Sequence, residues 1–225
     1  MPRRYWQAGR KQSRKSPLAG PPNYYPSAAP RVCGRLRCKN GLSTDLRQKL
    51  PEIALITETH TTATLARRLI TGLLDVAFIL EPPQVEALQL KEVALIQLIM
   101  VSSDSDLSVE EALANDYLMT DWGIPHTVNH RRAFPDAPEP QLRIGQSVIA
   151  HRHLLNIGGS AYLPARLVTD DIATGQLHMV QDAPSFDYTV YGVYAMRSTK
   201  SALIKEALQL FDYKVDLDEL REYGE

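Results

Sequence analysis

The chain has 225 residues, 44% of them hydrophobic, enough for one substantial core or two small lobes, so general disorder is excluded. Residues 1–50 carry 12 Lys and Arg against the single acid Asp45, while residues 51–225 carry 13 basic and 25 acidic side chains. This acidic body is unsuited to coating nucleic acid, and its longest apolar run, residues 93–101, is too short to span a membrane.

The first 44 residues form an irregular basic arm. Five prolines between residues 17 and 30 would interrupt any helix in it. The chain's two cysteines, Cys33 and Cys38, are too few for a zinc site or a disulfide framework. No apolar segment typical of a secretion signal follows Met1, so we expect a cytoplasmic protein.

Regular patterns begin after residue 51. The run EIALIT (52–57) predicts a strand, TTATLARRLITGL (61–73) a helix and DVAFIL (75–80) a buried strand, together a βαβ unit. The apolar face of that helix is assigned to Leu65, Leu69 and Leu73. Residues 88–103 contain two apolar runs and predict a pair of strands.

The remaining body alternates strands and helices. Ser108 followed by Glu111 predicts a capping box at the start of a helix. Further strands are expected within 117–123, 141–147, 158–163, 177–181 and 188–196, and further helices within 124–134, 148–157, 164–175 and 201–215. The apolar side of the last helix is assigned to Leu203, Ala207, Leu210 and Phe211. This alternation predicts an α/β fold with mostly parallel sheets.

The stretch LPEIALITETHTTATLARRLITGLLDVAFI (50–79) resembles the effector-binding domain of LysR-type transcriptional regulators. The resemblance rests on Pro51, Gly72 and the run Leu74 to Phe78. Further motifs follow in order: YLMTDWG, HRRAFP, GGSAYLPARLV, GQLHMVQDAP and YGVYAM. It extends from about Asp45 to about Tyr213. One departure is that Ile157 precedes the two glycines where many members have Gly-x-Gly.

The resemblance implies two Rossmann-like lobes of the type 2 periplasmic-binding-protein kind, with a ligand cleft between them. Lobe I would comprise about 45–120 and 193–213, lobe II about 121–192, and residues 214–225 a tail. It implies a sensor for a small-molecule effector, with no cofactor and no catalytic residues. The family reads DNA through a winged helix-turn-helix, which residues 1–44 do not resemble.

The arm stands where the family has a strand, a ligand-binding turn and a helix. Back-translating residues 33–44 and reading one base earlier permits Trp-Glu-Ala-Ala-Leu-Gln-Lys-Trp-Leu-Val-Asp, an amphipathic helix. Our hypothesis is that residues 1 to about 44 are translated out of frame; a divergent basic tail is the alternative. Because family dimers use that displaced helix, we expect weakened homo-oligomerisation.

Ligand-binding residues are expected at the carboxyl ends of strands, where helix N-termini present free N–H groups to anions. Thr61 and Thr62 stand between a predicted strand and helix, and Ser147 occupies the same position in the second lobe. The alternative is that they only cap helices. The resemblance implies ligand contact at Thr62.

Two further candidates lie near glycines. Trp122 precedes Gly123 at the expected crossover, where its ring would line the cleft or pack in the hinge. Ser160 follows Gly158 and Gly159, so its backbone would face a ligand or the glycines would end a helix.

His126 and His130 have the i, i+4 spacing of metal ligands, but we interpret them as solvated side chains on a polar helix face and predict no metal site. No nucleophile motif or phosphate-binding loop occurs in the sequence. Two alternatives to a regulator's sensor remain open: a stand-alone binding protein of the periplasmic type and a small α/β enzyme.

Overall fold

The structure is a computed structural model that describes residues 26–27, 56, 58 and 60–209. Most of the strand predicted at 52–57, and the predicted apolar residues Leu210 and Phe211, lie outside the described residues. Among those described, six helices occur: α1 (Thr62–Ile70), α2 (Val109–Ala114), α3 (Ile124–Ala133), α4 (Ser147–Asn156), α5 (Ala165–Ala173) and α6 (Ser201–Gln209).

Eight strands join the helices within the same residues. They are β1 (Pro26–Ser27), β2 (Val76–Ile79), β3 (Leu88–Ser102), β4 (Tyr117–Thr120), β5 (Leu142–Ile144), β6 (Ser160–Pro164), β7 (His178–Met179) and β8 (Phe186–Ala195). The described strand order is β1-β2-β8-β3-β6-β4-β5, and β7 pairs with β3.

The sheet is mixed, so the expectation of mostly parallel pairing is wrong. Parallel pairing joins β1 to β2, and β4 to both β5 and β6. The pairs β2–β8, β3–β6, β3–β7 and β3–β8 are antiparallel. The physical reason is that β3 and β8 are long strands running in opposite directions through the middle of the sheet, next to the shorter parallel strands.

Residues 88–103 do not form the expected pair of strands. They supply the single strand β3, which pairs with β8 and shows a register shift between Glu92 and Ala94. Val93 and Ala94 are buried in succession there, which reverses the alternation of buried and exposed residues. In the sequence this change of alternation looks like a gap between two strands. In the structure it is a β-bulge within one continuous strand.

β3 and β8 connect two halves of the sheet. β3 pairs with β8 as far as Leu98 and with β6 from Leu98 to Ser102. We call the half containing α1, β2 and α6 lobe I, and the half containing α2 to α5 and β4 to β6 lobe II. β4 pairs with β5 and β6. The division expected from the sequence, with lobe I at about 45–120 and 193–213 and lobe II at about 121–192, stays a prediction.

Each lobe has its own apolar core, and a third cluster joins them. Leu65 and Leu69 of α1 pack in lobe I, whereas Leu118 and Leu163 pack in lobe II. Leu73, predicted on the apolar face of α1, lies beyond the helix and is 57% exposed. Within the arm expected to be irregular, β1 pairs with β2.

Candidate functional site

Three helices begin at the carboxyl ends of three parallel strands in lobe II. β4 is aligned with β5, and Thr120 pairs with Ile144 at their last residues. β6 runs in the same direction beside β4. Helices α3, α4 and α5 start within four residues of the ends of β4, β5 and β6, respectively. Their N-terminal N–H groups therefore lie along one side of lobe II.

None of these three helices has a side-chain cap. The N-cap residues are Gly123, Gln146 and Pro164, none of which forms a side-chain capping bond, and no acidic residue occupies any of the three first turns. In contrast, Ser108 and Glu111 form the predicted capping box on α2. Uncapped helix starts carry unsatisfied N–H groups and partial positive charge, which favour a bound anion.

A buried hydroxyl lies at the same place. Thr120, the last residue of β4, is 1% exposed, and its Oγ1 has no hydrogen-bond partner among the described residues. The adjacent Asp121 N–H donates to the carbonyl oxygen of Ile144 at 3.0 Å, which fixes the turn beside β5. A buried hydroxyl without a partner is costly, so a ligand that bonds to it would recover that free energy.

Ser147 is the first residue of α4 and is 2% exposed. It follows the N-cap residue Gln146, so the alternative that Ser147 is the N-cap does not hold. Its position near Thr120 follows from the pairing of β4 with β5. The sequence identified Ser147 by its place between a strand and a helix, but it carried no signal for Thr120, which looks like an ordinary strand residue.

Trp122 is a packed side chain. It is 2% exposed, belongs to the cluster that joins the lobes, and donates from Nε1 to the carbonyl oxygen of Tyr162 at 3.2 Å. Gly123 follows with φ +97°, a conformation that L side chains rarely adopt. The packed Trp122 and the glycine conformation of Gly123 therefore fix the turn from β4 to α3. Ligand contact by Trp122 stays a prediction.

Ser160 lies at the other end of its strand. It pairs with Tyr117 at the amino end of β4, whereas Thr120 is at the carboxyl end. The Ser160 hydroxyl donates to the carbonyl oxygen of Ala112, and its N–H donates to that of Asp116 at 3.3 Å. These contacts place Ser160 away from Thr120 and engage both of its donors.

Thr61 and Thr62 lie in lobe I at the start of α1. Thr61 is the N-cap residue, and its Oγ1 accepts from the N–H of Thr64 at 3.4 Å. Thr62 is exposed and begins the helix. The capping alternative therefore holds for Thr61, and the ligand role of both residues stays a prediction.

The histidines of α3 are not solvated, which corrects the interpretation from sequence. His126 is 1% exposed and His130 is 7% exposed, and both rings pack among aromatic side chains from β4, β6 and β8. The partners lie up to 62 residues away in the chain, so local polarity could not indicate this burial. No group of three or more metal-ligating side chains occurs in residues 60–209 or the other described positions.

The sequence matches the family model of the LysR substrate binding domain over residues 41–214. The chain belongs to this family. The fold is the mixed α/β fold of LysR regulatory domains, of the type 2 periplasmic-binding-protein kind. No curated protein sequence matches the chain. No helix in the described part of the chain is long and apolar enough to cross a membrane.

Solved regulatory domains share the fold at low sequence identity. The apo form of the HypT regulatory domain from Salmonella typhimurium is 15% identical, with a TM-score of 0.70, covering 83% of this chain and 93% of that chain. The reduced OxyR2 regulatory domain from Vibrio vulnificus is 15% identical, with a TM-score of 0.64 and coverage of 84% and 93%. The AphB regulatory domain from Vibrio vulnificus is 14% identical, with a TM-score of 0.61 and coverage of 84% and 98%.

Proposed function

We propose that this LysR effector-binding domain senses a small molecule with an anionic group, which binds at the carboxyl ends of β4, β5 and β6. The observation that carries the proposal is that three uncapped helix starts follow the carboxyl ends of these strands, where the Thr120 hydroxyl has no hydrogen-bond partner among the described residues. Helix N–H groups would bind the anion, and the hydroxyls of Thr120 and Ser147 would orient it.

Charge around these helix starts supports an anion over a cation. The first turns of α3, α4 and α5 contain no acidic side chain. One carboxylate, that of Asp121, precedes α3 and accepts from the N–H of its N-cap residue Gly123 at 3.0 Å. Among similar solved structures, one HypT regulatory domain is described as bromide-bound and a mutant OxyR2 regulatory domain as sulfate-bound. These descriptions concern those proteins, and they are compatible with the chemistry proposed for this chain.

Lobe I would complete the site through Thr61 and Thr62 at the start of α1. A ligand held by both lobes stabilises the arrangement in which they lie close together, and β3 and β8 are the strands that connect them. In a regulator with a DNA-binding part, this change of lobe angle would reposition that part. We propose that the protein acts in this way in the cytoplasm, with homo-oligomerisation weakened by the altered N-terminal segment.

The proposal is tested by titrating the full chain with sodium sulfate and a panel of small carboxylates at constant ionic strength, using thermal shift and calorimetry. We expect saturable binding of at least one anion, reduced at least fivefold by Thr120→Val. The matched control is Thr174→Val, which removes a hydroxyl at the opposite end of α5. Equal affinities of the parent and both variants would contradict the proposal.

A further inference from the structure

A box of aromatic rings in lobe II encloses two histidines. The ring centroid of His126 lies 5.2 Å from that of Phe186, and between 5.8 and 5.9 Å from those of three other rings. His130 stacks on Tyr117 at 5.4 Å. We call this cluster the aromatic box; its members are His126, His130, Tyr117, Tyr162, Phe186 and Tyr188.

Hydrogen bonds tie both histidines to tyrosines. His126 Nδ1 lies 3.1 Å from the hydroxyl of Tyr188, and His130 Nε2 lies 2.8 Å from that of Tyr117. His126 Nε2 is buried without a hydrogen-bond partner among the described residues. In the neutral tautomer whose Nδ1–H donates to Tyr188, Nε2 is an acceptor and carries no N–H that needs a partner. A protonated ring would place a charged N–H in an apolar enclosure.

The aromatic box fastens α3 to the strands that cross between the lobes. Phe186 and Tyr188 lie on β8, where they pair with Leu98 and Ile96 of β3. Asn129 of α3 also donates to the Tyr188 hydroxyl, at 3.5 Å. Both His126 and Asn129 of α3 therefore reach the Tyr188 hydroxyl of β8.

Among the described residues, no carboxylate forms an ion pair that would compensate the charge of a proton on either histidine. The titratable groups facing the rings are Tyr117 of β4, Tyr162 of β6, Tyr188 of β8 and the two histidines themselves, with the Arg143 guanidinium of β5 near His130. Within the described residues, neither ring forms an ion pair with a carboxylate. The acid Glu139 borders the same cavity as His130, but it pairs with Arg143 at 3.0 Å and Arg131 at 3.9 Å.

These surroundings lower the pKa of both histidines. Burial lowers the pKa of His126 to about 3, and the charge of His130 adds to the effect. Burial lowers the pKa of His130 to about 4, with a further contribution from Arg143. A cavity of about 110 Å³ borders His130.

We propose that the aromatic box is an acid-released latch, in which proton uptake by His126 and His130 detaches α3 from the crossing strand β8. Because α3 belongs to lobe II and β8 connects the two lobes, the latch would make the angle between the lobes depend on pH. It rests on the buried rings, their tyrosine partners and their place on the crossing strands, and it does not depend on the effector site.

The direction of the pH effect follows from the two states. A released histidine has an ordinary pKa of about 6.5, so below that pH the released state binds a proton that the latched state refuses. The equilibrium constant that favours the latched state over the released state is therefore highest above pH 6.5. For each histidine it falls about tenfold per pH unit as the pH decreases towards 4. At pH 5 the equilibrium constant is lower than at neutral pH by about 30-fold for one histidine and by about 1,000-fold for both.

The test uses the full chain with Trp6→Phe, which leaves Trp122 as the single tryptophan. Trp122 lies immediately before α3, so its emission reports release between pH 7.5 and 4.5. As the pH falls, we expect the Trp122 emission to shift to the red in a transition whose steepness corresponds to uptake of about two protons. The far-UV circular dichroism should be retained. With His126→Phe added, the slope falls towards one and the midpoint moves about one pH unit lower. His153→Gln, on α4, is the matched control and leaves both values unchanged.

Parental slope and midpoint in the His126→Phe variant would overturn the proposal, as would loss of far-UV circular dichroism at the same pH as the red shift. If His126→Phe fails to fold, the histidine side-chain NMR signals of the parent decide. The latch predicts two histidines that stay neutral between pH 7.5 and 5.5 in the folded protein. Titration of all six histidines near pH 6.5 would exclude it.

Discussion

The two ends of strands β4, β5 and β6 are built differently. At the amino ends, Ser160 donates to the carbonyl oxygens of both Ala112 and Asp116, and the Gly159 N–H donates to Ser103 Oγ at 3.0 Å. At the carboxyl ends, three helices start without side-chain caps and the hydroxyl of Thr120 has no partner among the described residues.

This difference separates stability from function within one lobe. Internal hydrogen bonds satisfy the amino ends, so changes there should reduce the free energy of unfolding. The carboxyl ends keep donors unsatisfied, and an uncompensated donor costs stability unless it binds something. Substitutions at the carboxyl ends should therefore affect anion binding more than folding.

The largest effect is expected from Gly159→Ala at the amino ends. Gly159 has φ +104°, and a Cβ there would collide with the carbonyl oxygen of Asp116. Strain and collision together should cost about 3 kcal/mol of unfolding free energy. Gly175→Ala is the control, because φ is also positive (+70°) but no atom lies within 4 Å of the added Cβ, so the cost should be about 1 kcal/mol. Urea unfolding measures both, and equal losses would refute the role of the collision.

Removal of two buried hydroxyls, those of Ser160 and Thr120, should change the free energy of unfolding by different amounts. Ser160→Ala leaves the buried carbonyl oxygen of Ala112 without its side-chain donor and should cost about 2 kcal/mol. Thr120→Val also deletes a buried hydroxyl, but that hydroxyl has no hydrogen-bond partner in the described part of the chain, so the free energy of unfolding should change by less than about 0.5 kcal/mol or increase. The two variants are compared by urea unfolding without anions. A similar loss in both would show that the two ends do not differ.

A gain in stability is expected from Gln146→Asp, which supplies the missing cap of α4. The extended backbone of Gln146 suits a capping side chain, so unfolding free energy should rise by about 1 kcal/mol. The new carboxylate would occupy the N–H groups proposed for the effector, so sulfate affinity should fall. Calorimetry on the variant checks this, and a stabilised protein with unchanged sulfate affinity would place the anion elsewhere.

Local patterns predicted those elements whose determinants are close in sequence. The capping box of Ser108 and Glu111 and the strand β2 are both confirmed. The single strand β3 was missed because hydrogen bonding to β8 continues past the shift at Glu92 and Ala94. No short window of sequence contains the partner that makes the strand continuous.

The candidate site was only partly predictable for the same reason. Ser147 stands between a strand and a helix, which a sequence shows. Thr120 becomes notable only through the lack of a hydrogen-bond partner, a property of the folded surroundings. Buried His126 depends on Phe186 and Tyr188, which reach it through the pairing of distant strands.

The central claim is that the carboxyl ends of β4, β5 and β6 hold an anion. The most direct measurement is a sulfate titration of the full chain followed by amide NMR. We expect saturable shifts in the first turns of α3, α4 and α5. Thr120→Val should abolish or strongly weaken them, while the shifts of the amino-end residues Gly159 and Ser160 stay unchanged. Saturable shifts confined to other parts of the protein, or no saturable shift with any anion of the panel, would contradict it.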